Sequence, residues 1–343
     1  MDQERYSRQI LFPPIGQEGQ EKLALSRVAI VGMGALGTAL AHHMVRSGVG
    51  YLRLIDRDYV EKSNLQRQML YDEKDAEEAL PKAIAAEAKL RNIHSSVRID
   101  SHVTDLSWRN AETLLTEVDL ILDGSDNFSV RYLVNDVSLC HGIPWIYGGA
   151  VSSRGMFFTI RPGVTPCLRC LFPDAPAPGS AETCDTAGVI GPVVQVVASY
   201  QSTEALKLLV GDLDSLNPKL CHFDLWNNHQ GAFTVQEKRQ AECPACSRRQ
   251  FDYLRPVEKS EQATSLCGRD TVQVSPAQPA QLDLKQLEKR LAPLGHVERN
   301  RFLLRAQPDS RHRLVVFPDG RVLVQGTTEV SVARSLVARY IGN

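Results

Sequence analysis

The chain has 343 residues, with 39 Lys and Arg against 40 Asp and Glu and a formal net charge of −1. That balance argues against a nucleic-acid or membrane-surface partner, and no apolar run approaches the length of a membrane span. The length can bury one large core and a small second one.

The start, Met1-Asp2-Gln3-Glu4-Arg5, is polar and lacks a signal-peptide pattern, so a cytoplasmic protein is expected. Arg5 and Arg8 flank Tyr6 in residues 1–26, which carry no strong structural signal and read as a solvated arm. Val28-Ala29-Ile30-Val31 then reads as a buried strand, followed by Gly32-Met33-Gly34-Ala35-Leu36-Gly37, a G-x-G-x-x-G turn. Ala35 to Ser47 reads as a helix with Leu36, Leu40, Met44 and Val45 on one face. Tyr51 to Ile55 reads as a second strand ending in Asp56. Strand, glycine turn, helix, strand and acid make the fingerprint of a nucleotide-binding βαβ half. The glycines admit close backbone approach, the helix start offers N–H groups to phosphate, and Asp56 can accept from ribose hydroxyls. Ala35 keeps its N–H and serves as well if its backbone is helical. Taken alone, the motif fits both dinucleotides and ATP.

Just beyond come Asp58 and the dense polar run Ser63-Asn64-Leu65-Gln66-Arg67-Gln68. Together with Arg5-Tyr6-Ser7-Arg8-Gln9, the glycine turn and Asp56-Arg57-Asp58, this run resembles the ThiF and MoeB family of ubiquitin-activating-type adenylyltransferases of sulfur-carrier proteins. The resemblance implies that Arg8 reaches ATP phosphates across a homodimer. It also implies nucleotide contacts from Gly32, Gly34, Ala35, Asp56, Asp58, Ser63, Asn64, Leu65, Gln66 and Arg67.

Asp72 to Asn92 is acidic, then helical, with Pro81 suited to a first turn. Lys82 therefore sits at the positive end of a helix dipole, a cost of up to about 1 kcal/mol that a nearby anion would relieve. The family places a phosphate-binding lysine here. Val97 to Asp100 reads as a strand, Trp108 to Leu115 as a helix, and Val118 to Leu122 as a buried strand. That last strand ends in Asp123-Gly124-Ser125-Asp126-Asn127, before a helix over Ser129 to Leu139. A loop at the carboxyl end of a parallel strand is where open α/β sheets bind ligands. Asp126 could cap that helix. The resemblance instead makes it the Mg²⁺ ligand at the triphosphate, with Asn127 beside the nucleotide.

Pro144 to Ala150 and Met156 to Ile160 read as strands. Cys167-Leu168-Arg169-Cys170 and the distant Cys243-Pro244-Ala245-Cys246 are two C-x-x-C knuckles. Cys167, Cys170, Cys243 and Cys246 suit tetrahedral thiolate Zn²⁺ with no open position, a structural site clipping two segments together. Between them, Pro173 to Gly179 reads as a mobile loop leading to Cys184. Cys184 is either a passive loop thiol or, as the resemblance implies, the thiol that takes the carrier's acyl end. Pro192 to Val210 reads as a helix buried on more than one side, and His222 to Trp226 as a strand. Lys259 to Thr264 and Ser275 to Gln281 read as linkers. Leu282 to Leu291 reads as a helix, Leu314 to Val324 as a hairpin and Val330 to Tyr340 as a closing helix. This tail resembles the extension of the longer thiamine-type members in Bacillus-like bacteria.

The expected fold is α/β: a Rossmann-like, mostly parallel sheet over residues 1–255 with zinc knuckles, and a small α+β appendage over residues 265–343. The expected reaction is adenylylation by ATP and Mg²⁺ of the terminal glycine carboxylate of a ubiquitin-like sulfur carrier, a ThiS-like protein of thiamine thiazole synthesis. A persulfide donor of the cysteine desulfurase type would then supply sulfur. Arg8, Arg67, Lys82, Asp126 and Cys184 would carry the chemistry. Alternatives are a MoaD-like carrier in molybdopterin synthesis or tRNA thiolation, or an NAD-dependent oxidoreductase. The last would account for the glycine turn and Asp56 but not for Asn64–Arg67 or the loop at Asp126.

Overall fold

The computed structural model describes residues 3–174, 184–239, 241–256, 263–266, 270–276 and 281–342, with backbone alone at 184–185 and 263–266. The expected loop Pro173 to Gly179 lies mostly outside them. The chain divides into two compact units, Met1–Val257 and Glu258–Asn343.

The first unit is built on an eight-stranded sheet. Its strands are β1 (Arg27–Val31), β2 (Tyr51–Asp56), β3 (Arg98–Val103), β4 (Leu120–Asp123), β5 (Trp145–Val151), β6 (Arg154–Ile160), β7 (Lys219–Asp224) and β8 (His229–Thr234). The order is β3-β2-β1-β4-β5-β6-β7-β8. The first five run parallel, and β5 through β8 pair antiparallel. The central strand β1 is an unbroken apolar run because both its faces are covered. Val28 and Ile30 pack into one core layer, Ala29 and Val31 into the other.

The helix Ala35–Ser47 has the expected bounds, and Leu36, Leu40, Met44 and Val45 are buried. Each such side chain contributes roughly 1.5–3 kcal/mol of burial. Gly48, left-handed at φ 86, ends it. The long helix Gly191–Val210 buries residues on several sides and packs on the same core layer.

Two differences from the expectation have physical reasons. Residues 3–26 are not a solvated arm but carry two helices, Gln3–Ile10 and Gly16–Leu25. Tyr6 holds the first of them in place: it is buried, and its hydroxyl lies 3.0 Å from His94 Nε2. The helix's other anchors are polar, Arg5 donating to the Ile93 carbonyl at 3.0 Å and Gln9 to the Ser47 carbonyl at 2.9 Å, and such contacts leave no apolar period. Strand β8 is the sheet's edge and almost wholly exposed, so it lacks the apolar alternation that marks a strand.

The second unit is a six-stranded antiparallel sheet of β9 (Ala263–Leu266), β10 (Thr271–Val274), β11 (His296–Arg299), β12 (Leu304–Gln307), β13 (Arg313–Val316) and β14 (Val322–Gln325), in the order β11-β12-β13-β14-β10-β9. The expected hairpin is β13–β14. The helices Leu284–Leu291 and Val330–Tyr340 pack Leu284, Leu287, Leu291 and Ala333 against Val272, Leu304, Leu314 and Val324. Part of the expected linker, Ala263 and Thr264, belongs to β9.

Candidate functional site

In this sheet the strand order reverses at β1: β2 and β3 lie on one side of it, and the chain then crosses from β3 to β4 on the other. Crevices at such a reversal, beyond the carboxyl ends of the strands, are where open α/β sheets bind ligands. The glycine turn follows β1, Asp56–Asp58 follow β2, and Asp123–Asn127 follow β4. All three loops border this crevice.

The turn is held by packing that only glycine permits. Gly32 has φ +87, and a Cβ on Gly37 would stand 1.8 Å from the Gly32 carbonyl oxygen. Ala35 is the first helical residue, so its N–H is one of the first-turn amides without an intrahelical partner.

A chain of polar contacts runs from the turn to Lys82. The Met33 N–H donates to Asp56 Oδ2 at 2.6 Å, and the Asp58 N–H donates to Asp56 Oδ1 at 2.6 Å. Lys82 begins the helix Lys82–Ile93, only 3% exposed, and its Nζ lies 3.2 Å from Asp58 Oδ2. The anion expected near this dipole-opposed lysine is therefore present within the chain. Tyr71 ties the assembly, its hydroxyl donating to the carbonyls of Met33 at 2.7 Å and Lys82 at 3.0 Å. Burial pushes the Asp56 carboxyl above its usual range, with the Lys82 charge pulling the other way. Burial also works against the Arg57 guanidinium. Asp105, Asp58 and Asp126 more than offset that and raise its pKa.

The run after Asp58 forms a tight turn, Lys62–Asn64, closed by the Glu61 N–H donating to Asn64 Oδ1 at 3.0 Å. Asn64 is buried, Leu65 packs on the core, and Ser63 and Gln66 are exposed. Arg67 is half-buried and donates to the Ser63 carbonyl at 3.0 Å. Gln68, 2% exposed, lies beside Gly34, with its Oε1 buried and unpartnered.

Asp126 is exposed and does not cap the following helix, Phe128–His141. Asn127 does, its Oδ1 accepting from the Ser129 N–H at 2.8 Å. The loop's rigidity comes from residues that the sequence reading did not single out. Asp123, 1% exposed, accepts from Arg131 Nε at 2.8 Å and from the Ser125 hydroxyl at 2.6 Å. Arg131 also donates to the carbonyls of Ser125 at 2.7 Å and Gly148 at 2.8 Å. The Gln201 amide donates to the carbonyls of Asp123 at 2.9 Å and Ile146 at 3.0 Å. Gln201, fully buried in an apolar helix that also carries Gln195, Ser202 and Glu204, had no sequence signal, because burial is not written in the residue order. Arg131 had none either.

Gly32, Gly34, Ala35, Asp56, Asp58, Lys82 and the Asn64–Gln68 turn are thus brought together, and the charge of Asp126 is felt at Arg57. Arg8 is not with them. Tyr6 packs on Gly48, at the far end of a 13-residue helix from the turn, about 20 Å away. Arg8 is exposed. Cys184 is described by its backbone alone, as the first residue of the helix Cys184–Ala187.

The four knuckle cysteines converge. Sγ–Sγ distances are 3.8 Å for Cys167–Cys170, 3.6 Å for Cys167–Cys243 and 3.5 Å for Cys170–Cys246. A tetrahedron with Zn–S bonds near 2.3 Å has edges of about 3.8 Å, so this donor set fits zinc. Contact with Cys170 first, then burial, pushes the Cys167 thiol far up. Burial and its neighbours push Cys246 up to about 11. A dication would reverse this, since the thiolate is the ligand. The helix Phe128–His141 braces the first knuckle and the segment that follows the second. Asn135 Oδ1 accepts from the Leu168 N–H at 2.8 Å, and Asp136 Oδ2 accepts from the Tyr253 N–H at 3.0 Å.

Known proteins resemble this chain along most of its length. The model of the ThiF family matches residues 6–245. The "Sulfur carrier protein ThiS adenylyltransferase" of Bacillus subtilis (strain 168) is 44% identical over 339 residues, 98% of this chain and 99% of that protein. The "Sulfur carrier protein adenylyltransferase" of Thermus thermophilus is 38% identical over 248 residues, 71% of this chain and 90% of that one. Among solved structures, E. coli MccB is similar in fold, with a TM-score of 0.63 at 22% identity over 73% of this chain and 74% of that one.

Proposed function

The chain belongs to the ThiF family, and from that premise we propose that it is an ATP-dependent adenylyltransferase acting on a ThiS-like sulfur carrier. The carrier's terminal carboxylate oxygen attacks the α-phosphorus of ATP. One P–O bond forms, the bond to the leaving pyrophosphate breaks, and an acyl adenylate remains. A carboxylate needs no base, so the protein's task is to align and to neutralise charge.

In this reading the glycine turn and the Ala35 amide seat the phosphates, and Asp56 holds the ribose. Lys82 and Arg67 balance phosphate charge, with Arg8 supplied by a second copy of the chain in a homodimer. Arg8 is exposed and remote from its own chain's glycine turn, which favours a role in the site of a second copy. Asp126, an exposed carboxylate beside Arg57, would hold Mg²⁺, which when bound screens the phosphate oxygens. Cys184 would take the activated acyl group before sulfur arrives from a persulfide donor. One observation carries the reading: the chain of contacts from Met33 through Asp56 and Asp58 to Lys82, which sets a buried cation beside the glycine turn.

Similarity to the B. subtilis relative runs through 98% of the chain, including the second unit. This favours a thiamine-type carrier over a molybdopterin-type one. Exchange of labelled pyrophosphate into ATP, run side by side with ThiS-like and MoaD-like carriers, tests the choice. Faster exchange with the ThiS-like carrier is expected, and faster exchange with the MoaD-like one would reverse the assignment. No helix among the described residues is long and apolar enough to cross a membrane.

The four cysteines would hold a structural Zn²⁺. Stripping it with a chelator is expected to lower the thermal midpoint of the protein before any loss of ATP affinity is seen in the folded fraction. An unchanged midpoint after complete zinc removal would contradict the structural role.

A further inference from the structure

We propose that Glu112, Cys140 and His141 form a second metal site, taking a zinc-class dication with three protein donors and one open position. Cys140 and His141 are the last two residues of the helix Phe128–His141, and Glu112 lies on the short helix Ala111–Leu115. Their ligand atoms all lie within 4.8 Å of one another, with His141 Nε2 already 2.9 Å from Glu112 Oε1. Thiolate, imidazole and carboxylate are the donors that zinc and cobalt share, and three of them with a free fourth position mark a site that is not purely structural. Closing to tetrahedral edges requires movements of about 1 Å, which half-exposed side chains at a helix end can supply.

Two further features favour a cation. The site lies at the negative end of a 14-residue helix. It also already draws a positive group: Arg255 sets its guanidinium 3.8 Å from Glu112 Oε1 and 3.9 Å from Cys140 Sγ. That side chain is 67% exposed, so it can swing into solvent and yield its place. Arg255 is thus a competitor for the metal. The site is separate from the nucleotide crevice, since the helix that starts at the Asp126 loop carries it about 21 Å away.

The test uses the full chain with its four-cysteine cluster loaded with zinc. Co²⁺ is then titrated in while thiolate-to-cobalt charge transfer and the visible d–d bands are followed. The expected result is one further Co²⁺ per chain with a thiolate band. The band disappears in Cys140→Ser, His141→Asn weakens binding by more than about tenfold, and Arg255→Gln tightens it. A thiolate band absent from both the wild type and Arg255→Gln overturns the proposal, as does a band unchanged in Cys140→Ser. Should Cys140→Ser fail to fold, His141→Asn decides alone, and unchanged affinity there refutes the site.

Discussion

Replacing Asp126 with asparagine lowers carrier-dependent ATP–pyrophosphate exchange by about 10²–10³-fold, the scale of losing one preorganised charge from a transition state. Folding is expected to survive, with stability within about 0.5 kcal/mol of wild type. The reason is local. Asp126 is exposed, and the helix that follows takes its cap from Asn127. The substitution therefore removes a carboxylate without removing a structural hydrogen bond, and it keeps the side chain's size. An amide oxygen is a poorer ligand for a hard dication than a carboxylate. If the variant exchanges at the wild-type rate, the metal-holding role is wrong.

Arg131→Ala is the counterpart on the side of stability. It should destabilise the first unit by about 3–5 kcal/mol, because it strands the buried Asp123 carboxylate without its cation. It also removes the donors to the carbonyls of Ser125 and Gly148, which fix the loop beside Gly32. For a unit of this size the thermal midpoint should fall by roughly 6–20 °C. Adding Asp123→Asn should restore part of the loss, since no charge is then left unpaired. A fall of less than about 1 kcal/mol in denaturant unfolding would mean that water or another group satisfies Asp123.

These two positions show how far the sequence carried the reading. Asp126 was visible because it sits just past a buried apolar strand and before a helix, where the chain order itself marks a ligand loop. The glycine turn, the helix over 35–47 and the knuckle cysteines were legible in the same way, through spacing of a few residues. Arg131 was not, because its partner Asp123 lies a turn of loop away and its burial depends on β5 and on the rings of Phe128 and Tyr147. Tyr71 and Gln201 act through backbone carbonyls of distant segments, which no pattern of side chains records. Exposed β8 and the first helix, held by Tyr6, Arg5 and Gln9, carry no apolar periodicity, so neither is legible in the sequence. The dipole conflict of Lys82 is legible in the chain order, whereas its relief by Asp58 depends on a contact 24 residues away.

One activity is central, the use of ATP to make a carrier's terminal carboxyl group reactive. The most direct measurement is incorporation of labelled pyrophosphate into ATP by the zinc-loaded protein, with an intact carrier and with one whose terminal carboxylate is blocked as an amide. Exchange should require ATP, magnesium and the free carboxylate, and should vanish with the amide. Exchange that persists with the amide, or none with any Gly-Gly carrier while NADH binds and ATP does not, would contradict it.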